Sequence, residues 1–142
     1  MVHRRDMDSH RTDVPKGRFC LHGGCSAGAD YGAVRYAPFS GFDIRSTAFY
    51  TYTYMPIRGR VRRVIMYVIA NSLDADAPVR LMKNGSETGV SFTVPAGEAR
   101  YTEEWEGSVQ FNKGDYFYWE IDASTATTGT LLVRFSAEVE VL

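Results

Sequence analysis

The sequence has few of the residues on which catalytic and metal sites are usually built. It contains two cysteines and three histidines, and all of them lie between His3 and Cys25. Neither a Gly-x-Ser-x-Gly nucleophile motif nor a phosphate-binding glycine motif occurs. The paired carboxylates Glu103 and Glu104 are adjacent, so a strand would direct them to opposite faces. We therefore expect no enzyme activity and no cofactor.

Long apolar runs are also missing. The longest, Val64 to Ala70, has seven residues, whereas a membrane-spanning helix needs about 20. The first residues, Met1 to Asp6, are charged and lead into no apolar stretch, unlike a signal peptide. We expect no membrane partner. Cys20 and Cys25 are close enough for a short-loop disulfide, but reduced thiols are the expectation for a protein made in the cytoplasm.

The net charge is close to zero, but the charges are unevenly distributed. The formal net charge is −1. Residues 1–70 have eleven Arg or Lys against five Asp, and residues 71–142 have five against twelve Asp or Glu. If copies of the chain packed front to back, the attraction between the basic and the acidic halves would speed their association and fix their alignment. The near-zero total and the lack of a recognisable nucleic-acid module predict no nucleic-acid partner.

What the sequence does contain is a succession of short alternating runs. The last run, Leu131 to Leu142, alternates apolar and more polar residues with the period of a strand that has one buried face. About eight strands, spaced by about 8 to 12 residues, predict an all-β antiparallel sandwich of the jelly-roll type over residues 42–142. The other predicted strands are 48–55, 60–71, 79–83, 90–94, 101–105, 109–111 and 116–122.

Three of these runs carry specific expectations. Asn84-Gly85 predicts a hairpin with a type I′ turn, because both residues accept positive φ. The run Val64 to Ala70 is apolar at every position, which favours a central strand covered on both faces. If residues 48–55 form one strand, then Tyr50, Tyr52 and Tyr54 share a face.

Residues 1–41 differ from the rest, because they show no sustained period of a strand or a helix. Terminal segments poor in apolar groups bury too little surface to offset an ordering entropy of about 1–2 kcal/mol per residue. We therefore expect an extended N-terminal arm that is held by a partner. Arg4, Arg5 and Phe19 are its candidate partner-binding residues.

The order of the turns resembles that of jelly-roll domains in bacteriophage virion proteins, such as head decoration proteins, head fibres and tail-fibre tips. The segments that carry the resemblance lie within residues 60–142 and are 81–85, 88–90, 93–97, 112–115 and 128–130, followed by the strand around 135–139.

The resemblance implies a non-enzymatic, usually trimeric component of a viral particle. For this chain it suggests a capsid decoration or cement protein on the virion surface, bound to the major capsid protein or another virion protein through its body and arm. The alternative is a receptor-binding tip of a tail or head fibre that recognises a glycan.

Two further groups of side chains are candidate contact residues. The basic run contains Arg58, Arg60, Arg62 and Arg63, which could contact phosphates. The charge asymmetry favours a second interpretation, in which these arginines face the carboxylates of a neighbouring subunit, such as those of residues 103, 104 and 106.

The other group is aromatic. Tyr50, Tyr52 and Tyr54, together with Tyr116 and Tyr118, could form a platform for sugar rings. A cross-strand aromatic ladder at a subunit interface is the favoured alternative.

Metal binding is disfavoured at both places where ligand types gather. Cys20, His22 and Cys25 fall short of the four ligands of a structural zinc site, and His3 and His10 have no recognisable spacing to them. Calcium takes six to eight oxygens, and no loop has the spaced acidic pattern of a dedicated site. The acidic residues considered were Asp74, Asp76, Glu120 and Asp122. We expect no bound metal.

Overall fold

The computed structural model describes residues 17–142. Along its long strands, buried residues alternate with exposed ones. The strands pack as two sheets face to face, an all-β sandwich of the jelly-roll type, as predicted. The strands are β1 (Arg18–Gly24), β2 (Ala29–Asp30), β3 (Val34–Pro38), β4 (Gly41–Phe42), β5 (Thr53–Tyr54), β6 (Gly59–Asn71), β7 (Ala77–Lys83), β8 (Ser86–Val94), β9 (Tyr101–Phe111), β10 (Tyr116–Asp122) and β11 (Thr130–Val141).

The first sheet, sheet A, has the order β4-β1-β11-β6-β9, and β2 also pairs with β11. The second, sheet B, has the order β3-β10-β7-β8, and β5 also pairs with β10. All pairings are antiparallel except the short one between β1 and β4. Within residues 17–142, no helix has the length and apolar character needed to span a membrane.

Strand β11 lies at the centre of sheet A and supplies one wall of the core. Its inward residues from Leu131 to Val139 are buried, and only Val141, at the end of the strand, departs from the predicted pattern. On the opposite wall, the ring of Trp119 in β10 lies parallel to that of Phe135 in β11, with centroids 3.8 Å apart. Phe117 packs against Phe39 with ring centroids 4.9 Å apart. The contact of Trp119 with Phe135 joins the two sheets, and Phe39 packs against sheet B from the connection between β3 and β4.

The predicted hairpin is confirmed. β7 and β8 are joined by Asn84 and Gly85, whose φ values of 52° and 84° are those of a type I′ turn. The Asn84 amide also donates to the Asp115 carboxylate at 2.9 Å and accepts from the Tyr116 N–H at 3.0 Å. This ties the hairpin to the turn between β9 and β10 at the same end of the sandwich.

The predicted arm is wrong for residues 18–41, which belong to both sheets. β1 pairs with β11 along its whole length, and β3 pairs with β10. The sequence pattern does not reveal these strands, because they are short and because Gly23 has no side chain where β1 passes close to the backbone of Phe39. A Cβ on Gly23 would lie 2.3 Å from the Phe39 carbonyl oxygen. The rest of the predicted arm, residues 1–16, lies outside the described residues.

Three other predicted elements differ in the structure. Residues 48–55 are not one strand, because a 3-10 turn (Ala48–Thr51) precedes β5. β6 is central, as predicted, but its outer face is open, and Tyr67 and Ile69 are 37% and 41% exposed. The two runs at 101–105 and 109–111 form the single strand β9, which is irregular where it passes Arg62.

Candidate functional site

An exposed aromatic cluster covers half of the outer face of sheet B. In β10, Phe117, Trp119 and Ile121 point into the core, so the alternate residues Tyr116 and Tyr118 point outwards. The neighbouring segments add further rings on the same face. We call this cluster the tyrosine surface, and its members are Tyr36, Phe49, Tyr50, Tyr52, Tyr54, Tyr116 and Tyr118.

The base of the tyrosine surface is a stack of rings. Tyr52 lies nearly parallel to Tyr116, with ring centroids 3.9 Å apart, and also stacks on Tyr118 at 5.4 Å. Tyr36 of β3 meets Tyr118 edge to face at 5.8 Å. Tyr118 is buried beneath these neighbours. The base is therefore a packed layer on which the remaining rings rest.

The crown of the tyrosine surface consists of Phe49, Tyr50 and Tyr54, which are 63%, 67% and 59% exposed. Their rings are steeply inclined to their neighbours. Phe49 meets Tyr50 at 71° and Tyr52 at 74°, and Tyr54 meets Tyr52 at 78°. The guanidinium of Arg45 lies 5.7 Å from the centre of the Tyr50 ring. The crown therefore presents ring edges in several directions and no continuous flat plane.

Buried anchors on either side hold the crown outwards. Thr51 is buried, and its hydroxyl donates to the Ala48 carbonyl at 2.7 Å, which closes the 3-10 turn. Met55 is also buried, and its N–H donates to the Asp115 carbonyl at 2.8 Å. Because Thr51 and Met55 occupy the inner side of this segment, the aromatic residues next to them point outwards.

The pKa values of two phenols in the base, those of Tyr52 and Tyr118, are raised above the ordinary value. Hydrogen bonding with Tyr116, followed by burial, raises the pKa of Tyr52 to about 12. Burial is the largest cause that raises the pKa of Tyr118. The hydroxyl groups of Tyr52 and Tyr118 therefore stay protonated to higher pH than a free phenol and can donate and accept hydrogen bonds.

The other half of the same face is charged. Arg80 of β7 lies 2.8 Å from Glu120 and 3.7 Å from Asp122, and 3.1 Å from Glu87 of β8. Glu120 follows Tyr118 on the outer face of β10, so the charged network borders the aromatic one. One sheet face thus combines an exposed aromatic half with a fixed set of charges.

The basic run is spread along β6, and the structure corrects its predicted partners. Arg63 pairs at 2.7 Å with Glu104 of its own chain, and this contact lowers the pKa of Glu104. Arg60 pairs with Glu140, likewise within the chain. Both pairings follow from the antiparallel neighbours of β6 in sheet A. Arg58 precedes the strand and is exposed, and Arg62 is half-buried.

Of the candidate residues in the predicted arm, only Phe19 lies within the described residues. Phe19 of β1 is half-buried and packs against the core, so this residue contributes to the sandwich itself. Its packing follows from the position of β1 beside β11 in sheet A. Arg4 and Arg5 lie outside the described residues.

The cysteines and the acidic residues do not converge. Cys20 is exposed, while Cys25 is buried, and burial raises the pKa of Cys25 to about 11. His22 Nδ1 lies 2.8 Å from Ser136 Oγ. Asp74 binds the Thr127 backbone and Asp76 the Ala96 backbone. Across residues 17–142, no three of the His, Cys, Asp and Glu side chains are grouped so that they could hold a metal ion.

Sequence reasoning found five rings of the tyrosine surface and missed Tyr36 and Phe49. Tyr36 alternates with the buried Ala37 in β3, a two-residue period that was too short to register as a strand. Phe49 belongs to the run predicted as a single strand. In the structure it lies in the 3-10 turn (Ala48–Thr51), whose sequence has no two-residue period.

No protein-family model matches the chain. No curated protein sequence matches it at a significant level. The solved structures that are similar to it in fold include the following two. One is a family 35 carbohydrate-binding module from Clostridium thermocellum, with 14% identity and a TM-score of 0.41, covering 83% of this chain and 90% of the module. The other is the globular domain of the zebrafish complement 1qA protein, with 14% identity and a TM-score of 0.49, covering 90% and 98%. Neither similarity says what this chain binds, and the resemblance to phage virion proteins stays a prediction.

Proposed function

We propose that this chain is a non-catalytic structural domain that binds neighbouring protein subunits through the tyrosine surface. The observation that carries the proposal is the crown, where three large rings stand largely exposed, with Phe49 against Tyr50 and with Tyr52 between Phe49 and Tyr54. Contiguous exposed aromatic surface marks interaction sites, and tyrosine and phenylalanine are enriched in protein interfaces.

The geometry of the crown favours a protein partner over a sugar chain. A saccharide stacks on the open face of a ring, whereas the crown rings are inclined to their neighbours by 57° to 78° and form no continuous flat plane. Tyr52, which lies flat, is stacked against Tyr116. Side chains that point in several directions fit into pockets of a folded surface, as interface hot spots do.

Following the resemblance of its turns, we place these subunits on a virion. The chain would be a capsid decoration or cement protein that associates as a homotrimer and binds the major capsid protein or another virion protein. Bridging of capsid subunits would stabilise the shell, because binding to the assembled state shifts the equilibrium towards it. Residues 1–16 would add to this contact.

The test is to replace the two most exposed crown rings, with the variant Phe49→Ser/Tyr50→Ser. Burial of the exposed two-thirds of a ring that offers about 200 Å² contributes about 3 kcal/mol. If the crown is the contact between copies, the double variant should lower the mass measured by light scattering from a trimer to a monomer at equal protein concentration. The double variant should still fold, because neither ring is in the core, and its melting temperature should fall only by what association contributed to the unaltered chain.

The matched control is Tyr31→Ser/Ile69→Ser, which removes two side chains that are 51% and 41% exposed and lie outside the tyrosine surface. The control should keep the mass of the unaltered chain. A crown variant that remains a trimer would exclude the tyrosine surface as the contact between copies, and an unaltered chain that is a monomer would exclude self-association.

The second candidate function is glycan binding on the same face. The observation that favours it is the charged network of Arg80, Glu120 and Asp122, because polar groups beside aromatic rings are typical of saccharide sites. A glycan array separates the two functions. Saturable binding by a monomeric chain that is lost in the crown variant would favour a fibre-tip role.

A further inference from the structure

One edge of sheet B is formed by β8, which among the described strands pairs with β7 only. A strand directs its backbone N–H and C=O groups alternately to its two sides, so β8 presents a row of these groups away from β7. Ser91 and Thr93 are exposed, and a Cβ on Gly89 would meet nothing within 4 Å. The edge of β8 is therefore accessible to another strand.

β8 also lacks the features that normally protect an exposed edge, which are charged side chains, prolines and bulges. The edge of sheet A on the same side of the sandwich is β9, which has three glutamates between positions 103 and 106. β8 has neither a charged residue nor a proline from Thr88 to Val94, and its pairing with β7 is regular from Ser91 to Val94. Its one carboxylate, Glu87, lies 3.1 Å from Arg80 of β7.

The side chains of β8 are complementary to those of a second, antiparallel β8. Its inward residues are buried and apolar, and the outward residues between them carry hydroxyl groups. In an alignment centred on Phe92, this ring lies opposite its equivalent, Ser91 lies opposite Thr93, and Val90 lies opposite Val94. Apolar residues then meet apolar ones and hydroxyls meet hydroxyls, which are favourable cross-strand pairs. The buried faces of both strands also lie on the same side.

We infer that β8 pairs with β8 of a second copy of this chain, antiparallel and centred on Phe92, so that the two B sheets become one continuous sheet. The contact is two-fold symmetric, because both copies use the same surface. β9 does not offer the same contact, since its glutamates would face one another. The inference goes beyond the proposed function, because it concerns another surface and does not depend on the tyrosine surface.

The dimer formed in this way should be weak. It uses the five residues Val90–Val94 of each copy, whereas a stable interface has about 20–30 residues per side. The glutamates of β9 lie beside the contact and oppose it by repulsion between the copies. The dimer should therefore form only at protein concentrations about tenfold or more above those of the light-scattering test of the crown.

The experiment is analytical ultracentrifugation of the crown variant, Phe49→Ser/Tyr50→Ser, in which the tyrosine surface no longer contributes to association. Its mass should double as its concentration is raised. Adding either Ser91→Lys/Thr93→Lys or Ser91→Glu/Thr93→Glu should lower the association constant about tenfold, because like charges then lie opposite each other. A mixture of the lysine and glutamate variants should associate again, since opposite charges now face each other across the contact.

The matched control is Ser108→Lys/Gln110→Lys in the same background, which adds the same two charges at the same spacing to exposed positions of β9. It should not weaken association, and all variants should keep the melting temperature of the crown variant to within a few degrees. A crown variant of constant mass up to about 1 mM would overturn the inference. Equal weakening by the control would overturn it too, as would a mixture of lysine and glutamate variants that fails to associate.

Discussion

Replacement of Gly129 by alanine should destabilise the sandwich more than any other glycine substitution with the same backbone angle. Gly129 precedes β11 and has a φ of +95°. A Cβ at this position would lie 2.0 Å from the Ser72 carbonyl oxygen and 2.3 Å from its carbonyl carbon. Ser72 in turn donates its N–H to the Thr130 carbonyl at 2.9 Å and accepts from the Thr130 N–H through its hydroxyl at 3.0 Å. The added methyl group would therefore push apart the two segments that align β6 with β11.

The magnitude has two parts that a matched variant can separate. A positive φ costs an alanine about 1–2 kcal/mol. Overlap with backbone atoms adds about 1–3 kcal/mol, as overpacking does in cores. Gly89 has a nearly equal φ of +91°, but a Cβ there would meet nothing within 4 Å. Gly89→Ala should therefore lose only the first part, and Gly129→Ala should lose both, about 2–5 kcal/mol in all.

The assay is urea denaturation followed by tryptophan fluorescence, because Trp119 is buried in the core and its environment changes on unfolding. The free energy of unfolding of Gly129→Ala should be lower than that of Gly89→Ala by about 1–3 kcal/mol. Equal losses in the two variants would refute the argument that the backbone of Ser72 leaves no room for a side chain.

Two further predictions concern titratable side chains. Cys20 is exposed, although partial burial raises the pKa of its thiol, whereas Cys25 is buried with a pKa of about 11. A thiol reagent should therefore react faster with Cys20 than with Cys25, and Cys20→Ser should abolish the faster phase; a faster reaction of Cys25 would contradict this. The pKa of Tyr52, raised from 10 to about 12, contributes stability that is complete below pH 10 and is lost as the pH rises towards 12. In urea titrations at about pH 9 and 11, Tyr116→Phe should reduce this loss, and an unchanged loss would show that Tyr116 is not its cause.

The strands that the sequence predicted best are those whose evidence is local. In β10, the alternation of Phe117, Trp119 and Ile121 with polar residues set both the strand and its buried face. Asn84-Gly85 specified its own turn, because positive φ depends on the two residues themselves. β1 ends in two glycines and β3 has only five residues, so neither shows a clear period, and their burial depends on β11 and β10, which lie far along the chain.

The candidate surfaces likewise combine features that the local sequence predicts with features that depend on residues far apart in the chain. The predicted tyrosines do lie together with Tyr116 and Tyr118, but not for the predicted reason, since a 3-10 turn and not a single strand carries Tyr50. The ion pair of Arg63 with Glu104 within one chain required the register between β6 and β9, which no single segment encodes. For the same reason, the half-buried position of Phe19 against the core could not be predicted from local patterns.

By itself, the sequence determined that the chain would be a sandwich of short strands, because apolar periodicity and turn residues act over a few neighbouring positions. Only the tertiary structure decided which surfaces the chain presents. The crown stays outside because buried Thr51 and Met55 fix its segment from within. Such surfaces depend on contacts between residues far apart in the chain, and these exist only in the folded state.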